Sequence, residues 1–282
     1  MIEKSSTNFS IEKIVKEALN EDLGQRGDIT SNSIIDKNLE NSFVLKSRSD
    51  GIISGIKPAE MSFKLLNENI IFENHINDGS AVKPGDIIAT IKGTARSILS
   101  SERTALNFLS HLSGIASATN EMVKIISKTN ARIVSTRKTT PNLRVLEKIA
   151  VRDGGGMNHR FGLYDGILIK DNHLALSGSI NETVSSARRK SSHMTSIEIE
   201  VDNLNQYKEA LETDVDAILL DNFNIENLIK AVSLNNKKII LEASGKITKD
   251  TILEIAKTGV NLISSGWLTH SAPSLDIGLD FS

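Results

Sequence analysis

With 282 residues, 39% of them hydrophobic and 24% charged, the chain has the length for one large α/β domain plus a smaller one and the composition of a globular protein, not a disordered one. Its 33 basic and 35 acidic side chains give a net charge of −2 without any basic run or aromatic-interleaved basic stripe, which argues against a nucleic-acid partner. The lack of cysteine removes disulfides, thiolate catalysis and Cys-ligated metals, and with no long apolar run and no signal-peptide core the sequence reads as cytoplasmic, with no membrane partner.

Ile11, Ile14, Val15, Ala18 and Leu19 recur at helical spacing behind Ser10, which predicts an opening helix with Ser10 as its N-cap. The Gly- and Asp-containing stretch 22–30 reads as a surface loop, Arg26 included. From 42 to 98, short apolar or alternating segments broken by Asn-Asp-Gly and Lys-Pro-Gly turns predict strands, with one helix at 58–66. In this region VKPGDIIATIKG reads as a structural hairpin and RSILS as the last strand. A long helix is predicted over 100–129, with Glu102 and Arg103 in its first turn. An arginine there opposes the helix dipole, which hints at another use for Arg103.

Beyond 130, strand and helix patterns alternate, with strands predicted at 132–136, 166–170, 197–201, 216–220, 239–243 and 260–265. β-branched runs at this spacing predict parallel βαβ units. No GxGxxG follows the first strand and no Walker A sequence is present, so six such strands favour a (β/α) barrel over an open doubly wound sheet.

Such barrels carry their chemistry at the C-terminal ends of the strands. Here those ends are charged: Arg137 and Lys138 after the first, Lys170 through His173 after the second, Glu198 and Glu200 on the third, Asp221 after the fourth. The last two end in Glu242-Ala243-Ser244-Gly245 and Ser264-Ser265-Gly266, whose small residues let backbone N–H groups approach a phosphate. Between Arg132 and His173, eight Lys/Arg stand against four Asp/Glu, a local positive field that suits an anionic small molecule. Three glycines, 154–156, lead into His159 and Arg160, and arginine offers a planar fork for a carboxylate. Glu200 and Asp221 are hard oxygen ligands suited to Mg²⁺, or else partners of Lys170 or Arg137 in a structural network. Arg144, Lys148 and Arg152 read as one helix face turned to solvent or to a second subunit. His75, His111, His193 and His270 show no metal-ligand spacing.

SERTALN at 101–107, TRKTTP at 136–141, GGGMNHR at 154–160, LIKDNH at 168–173, EIEV at 198–201, LLDN at 219–222, EASG at 242–245 and SSGWLTHSAPSLDIGLD at 264–280 resemble the quinolinate phosphoribosyltransferases. The resemblance spans nearly the whole chain. It implies an N-terminal α/β sandwich over 1–115, with residues from about 270 to 282 packing back on it, and an incomplete (β/α) barrel over 116–282. It further implies a homodimer with shared active sites, or a larger oligomer of dimers. The implied reaction joins quinolinate to 5-phosphoribosyl 1-pyrophosphate with Mg²⁺, giving nicotinate mononucleotide, pyrophosphate and CO₂.

Matched motif by motif, the resemblance implies that Arg137, His159 and Arg160 hold the two quinolinate carboxylates. Thr136, Lys138 and Lys170 then contact substrate, and Arg103 reaches into the neighbouring subunit's site. Glu200 and Asp221 face the ribose and Mg²⁺, directly or through water, while Ser244, Gly245, Ser265 and Gly266 bind the 5-phosphate. The implied catalytic set is Lys138, Lys170, Glu200 and Asp221. Trp267 stands where the family often has a small residue and is expected to narrow the phosphate loop or to pack against the other domain. A molybdenum-transport-associated paralogue and a non-catalytic sugar-phosphate-binding barrel stay open as alternatives; the NHR and IKDNH motifs favour the dicarboxylate.

Overall fold

A computed structural model describes residues 2–282, with side chains from Ser10 onward. The chain opens with α1 (Ile2–Leu23), α2 (Ile29–Ile34), β1 (Glu40–Ser47), β2 (Gly51–Ile52), α3 (Ile56–Lys64), β3 (Ile71–Asn74), β4 (Ala81–Val82), β5 (Ile87–Thr94) and α4 (Ala95–Ile125). There follow β6 (Arg132–Val134), α5 (Arg144–Asp153), β7 (Ile167–Ile169), α6 (Asp171–Ser177), α7 (Ile180–Lys190), β8 (Ile197–Val201), α8 (Leu204–Leu211) and β9 (Ala217–Asp221). It closes with α9 (Ile225–Leu234), β10 (Ile240–Ser244), α10 (Ile252–Lys257), β11 (Leu262–Ser264), α11 (Trp267–His270) and β12 (Ile277–Phe281).

Two compact units result. The first takes the chain up to Asn120 together with Thr139–Gly155 and Thr269–Ser282. In it β12, β1, β5 and β3 form an antiparallel sheet, with Phe43 paired to both Phe281 and Ile91. Leu45, Ile88 and Ile91 of that sheet share a core with Ile98, Ala105 and Leu109 of α4. A second cluster joins Ile11, Val15 and Leu19 of α1 to Leu112 and Ile115 of α4 and to Leu146 and Ala150 of α5. Residues 139–155 therefore group with this unit, although the sequence reading gave 116–282 to the barrel with only about 270–282 packing back: the apolar face of α5 is covered by α1 and α4.

Several local expectations change here. Helix α4 begins at Ala95, so RSILS is helical and Arg103 lies in the helix interior, not its first turn. Ala95, Ile98, Ala105 and Leu109 are all buried at helical spacing, and a five-residue apolar run cannot by itself tell strand from helix. The dipole argument for Arg103 lapses with it. Ser10 lies inside α1 and caps nothing. VKPGDIIATIKG is no hairpin, because β4 pairs with β2 while β5 pairs with β1 and β3. Its turn, closed by the Asp86 N–H donating to Lys83 O at 3.1 Å, passes the chain from one sheet to another. On α5, Lys148 is 1% exposed, next to the fully buried Glu147, while Arg144 is partly buried and Arg152 exposed, so only the Arg152 end of the expected face is solvated. Glu147 accepts from the Thr140 N–H at 3.1 Å and bonds His111 Nε2 at 2.9 Å, the partners a buried charge requires.

The second unit, 121–138 with 156–268, holds a six-stranded parallel sheet in the order β6-β11-β10-β9-β8-β7. In chain order this is a ring read backwards and cut between β6 and β7, two successive strands that share no ladder among the described residues. The fold is therefore an incomplete (β/α) barrel. Parallel pairing sets Glu242 beside Leu219 and Ser244 beside Asp221, and Glu200 also beside Leu219. Because side chains alternate along a strand, these residues stack in layers toward the strands' C-terminal ends. Among the described residues no helix is long and apolar enough to cross a membrane.

Candidate active site

A cavity of about 340 Å³ opens at the C-terminal ends of the barrel strands. The loop after β6 supplies Thr136, Arg137 and Lys138, and the segment before β7 supplies His159 and Arg160. Lys170, Glu200, Asp221 and Ser244 enter from the ends of β7, β8, β9 and β10. Leu168, Leu219, Glu242 and Ser264 complete the wall; the sequence places Glu242 and Ser264 in the last two strand ends without giving either a role of its own, and Leu168 and Leu219 were not expected at the site.

Gly245, Ser265 and Gly266 are not among the lining residues. On β11 the alternation turns Ser264 inward; Ser265 is buried, with its N–H donating to Val134 O at 3.2 Å. Gly245 is required by geometry: φ is +101°, and a Cβ would lie 2.7 Å from Asn222 Cγ and 2.8 Å from Asn222 N. The loop after β10 is thereby pressed onto the Asp221-Asn222 end of β9. Arg103 belongs to the first unit, where it is exposed on α4 and lines a different cavity with Asn107, Ser110 and His111. Trp267 does not line the 340 Å³ cavity; it borders a smaller one with Met122 and Ile247, and Lys249 Nζ stands 5.7 Å from its ring centre.

The positive side of the cavity is built for an anion. Arg160 donates through Nη1 to Gly166 O at 2.7 Å, which fixes its fork. Burial, and then the like charge of Arg137, pull its pKa below the usual arginine value. Two guanidinium groups that share one cavity gain most from an anion placed between them. The Thr136 hydroxyl accepts from the Lys138 N–H at 2.9 Å and shapes the turn that presents both cations.

On the opposite strands, Lys170 Nζ lies 2.8 Å from Glu200 Oε2, so Glu200 carries a counter-ion. Asp221 accepts from Asn222 Nδ2 at 2.6 Å. The pair offers two hard oxygen donors on adjacent strand ends beside the cavity, a set that fits Mg²⁺ sharing its remaining positions with phosphate oxygens and water.

A third group lies deeper. The Arg160 N–H donates to His159 Nδ1 at 2.7 Å, so that nitrogen is unprotonated and Nε2 carries the hydrogen, donated to Glu198 Oε2 at 2.7 Å. Both ring nitrogens of His159 are thus engaged within the protein. Beside them Glu242 is 1% exposed, and its Oε1 is buried without a hydrogen-bond partner. Leaving such an oxygen unsatisfied costs about 1–3 kcal/mol. Burial, then the Glu198 charge, pushes the Glu242 carboxyl up to about 7, opposed by His159 and by a hydrogen bond with Ser264. The ligand atoms of His159, Glu198 and Glu242 lie within 4.8 Å of one another, but a protonated Nε2 has no lone pair for a metal.

Comparison with known proteins follows the same lines. The family model described as "Quinolinate phosphoribosyl transferase, N-terminal domain" matches residues 28–113, and "Quinolinate phosphoribosyl transferase, C-terminal domain" matches 115–280. A "Probable nicotinate-nucleotide pyrophosphorylase [carboxylating]" of Bacillus subtilis is 44% identical over 97% of this chain and 94% of its own length. The solved nicotinate-nucleotide pyrophosphorylase of Francisella tularensis superposes with a TM-score of 0.93 at 38% identity, over 98% of this chain and 97% of that one. One from Ehrlichia chaffeensis superposes with a TM-score of 0.90 at 43% identity, over 96% and 98%.

Proposed function

The chain belongs to the quinolinate phosphoribosyltransferase family, and from that premise we infer how its cavity carries out the family's reaction. It transfers the phosphoribosyl group of 5-phosphoribosyl 1-pyrophosphate to quinolinate and releases CO₂, giving nicotinate mononucleotide and pyrophosphate for NAD biosynthesis. The observation that carries the site assignment is the placement of Arg137 and Arg160 in one cavity, where burial and then the charge of Arg137 lower the pKa of Arg160, an effect that a dicarboxylate offsets.

Arg137 and Arg160, with Lys138 at the rim, hold the two carboxylates. His159 was expected to join them; with both nitrogens engaged it acts through its neighbours, steadying Glu198 and the backbone of Arg160. Ser244 and Ser264 face the 5-phosphate, with the Gly245 and Gly266 turns behind them. As pyrophosphate leaves, the anomeric carbon becomes oxocarbenium-like, and Glu200 and Asp221 stabilise that positive charge. Lys138 and Lys170 stabilise the leaving group, Lys170 being held ready by Glu200. Mg²⁺, held by Asp221 and Glu200 or by water on them, supplies charge neutralisation at the pyrophosphate when bound. No protein nucleophile is required. Once ribosylated, the ring nitrogen is cationic and stabilises the electron pair left on C2 when the adjacent carboxylate departs.

The protein works as a cytoplasmic homodimer in which Arg103 completes the neighbour's site. The exposure of Arg103 and Asn107, one turn apart on α4, supports that placement. Mixing inactive Arg103→Ala subunits with inactive Lys138→Ala subunits then restores activity, because one site of each mixed dimer is intact; verified mixed dimers without recovery would remove Arg103 from the shared site.

The reaction itself is tested with quinolinate carboxyl-labelled at C2. Labelled CO₂ appears only when 5-phosphoribosyl 1-pyrophosphate and Mg²⁺ are present, and EDTA stops its release until Mg²⁺ is added back. Donor-independent release, or none from folded protein, would overturn the assignment.

A further inference from the structure

Besides the cavity at the C-terminal strand ends, the barrel has a second, of about 370 Å³, that opens to solvent. Ile167, Ile197, Ala217, Ile240 and Leu262 line it, and each is the first residue of its strand, so this cavity lies at the opposite end of the same barrel. Three residues line both cavities: His159, Arg160 and Glu242. They are the partition between the substrate cavity and a second approach from solvent, and the reaction as described leaves Glu242 without a task.

We propose that Glu242 is the acid that delivers a proton to C2 of the pyridine ring after CO₂ has left, and that it is recharged from the second cavity. The step balances. The bond from C2 to the carboxylate carbon breaks, CO₂ departs, and the electron pair stays on C2 beside the cationic ring nitrogen. C2 takes the Glu242 proton, and the carboxylate so formed regains one from water. A carboxyl suits this place because Glu242 lies on the same wall as Ser244, two residues deeper on β10, beside the arginines that hold the carboxylates. Its buried Oε1 has no partner, so a hydrogen there is not tied to another protein group.

The groups around Glu242 agree with its being protonated. Glu198 faces it from β8, bonded to His159 Nε2, and after burial its charge is the second cause that raises the Glu242 carboxyl. Against this, His159 and a hydrogen bond from Ser264 on β11 pull its pKa the other way, while Leu219 beside it on β9 is apolar. Arg160 and Arg137 border the same cavity, and a bound dicarboxylate occupies their charge. Burial and Glu198 both hold the proton on, with the midpoint at about 7. The acid is therefore present below that pH and lost above it.

The proposal rests on the quinolinate reaction, and the test separates the two. Rapid-mixing measurements follow pyrophosphate and nicotinate mononucleotide in the same reaction. In Glu242→Gln the pyrophosphate burst stays within a few-fold of the parent, while mononucleotide formation falls on the order of 10²-fold and the N-ribosylated dicarboxylate accumulates. The parent shows the same split without any substitution: above neutral pH, mononucleotide formation declines while the burst persists, a limb that Glu242→Gln lacks and Glu242→Asp retains. Equal loss of both products in the variant, or an alkaline limb unchanged in it, would remove Glu242 as the proton donor. If Glu242→Gln does not fold, the parent's pH split decides, and a burst and product that decline together would also overturn the role. A parent that releases no donor-dependent pyrophosphate would instead overturn the reaction.

Discussion

Arg137→Ala lowers kcat/KM for quinolinate roughly 300-fold while circular dichroism remains that of the parent. The size follows from what the guanidinium does. It borders the cavity half-buried, it is coupled electrostatically to Arg160, and truncating one partner of a shielded charge pair costs about 2–5 kcal/mol. At about 1.4 kcal/mol per factor of ten, the midpoint is roughly 300-fold. The fold survives because Arg137 follows β6 on a loop, and the turn beside it is closed by the Thr136 hydroxyl and the Lys138 N–H. Lys190→Ala, at the exposed C-terminal end of α7, is the matched control, with stability and rate near the parent's. Steady-state rates on both variants decide. An Arg137→Ala enzyme with near-parental kcat/KM and unchanged dichroism would take Arg137 out of the site.

The strand ends that build this cavity are legible in the sequence because β-branched runs and alternation mark a strand's period and its parity. IEIEV places Glu198 and Glu200 on one face, and AILLD leads to Asp221. Parity, had it been followed along LISS, separates Ser264 from Ser265, and along ILEAS it puts Glu242 on the face of Ser244. What no local pattern contains is the state of that carboxyl. It depends on a glutamate from a strand about 40 residues earlier and on a histidine whose proton position is set by one backbone N–H. The burial of Lys148 was hidden for a similar reason: i, i+4 spacing says that residues share a face, and only the packing of α5 with α1 and α4 says that this face is inside. Arg103 shows the reverse case. The argument from its place in the helix fails because α4 starts at Ala95, yet its motif still singles it out.

Nicotinate, offered in place of quinolinate, reacts with a kcat/KM lower by about 10⁴. It keeps the ring, the nucleophilic nitrogen and the C3 carboxylate, so the comparison isolates the C2 carboxylate. Without that group one guanidinium of the Arg137–Arg160 pair faces the ring with no anion to accept its hydrogen bonds, in a cavity whose walls include Leu168 and Leu219. Sites built to bond a polar group reject the analogue that lacks it by about 10⁴ to 10⁵, because their own buried groups are left unpaired. The repulsion between the two arginines, which the dicarboxylate offsets, adds to the penalty. The measurement is donor-dependent mononucleotide formation from each acid under identical conditions. Comparable rates would mean that the cavity recognises one carboxylate, and the two-arginine reading of the site would fall with that result. Should Arg160→Ala narrow the ratio by slowing quinolinate far more than nicotinate, the lost discrimination is assigned to the C2 carboxylate and to the guanidinium fixed by Gly166 O.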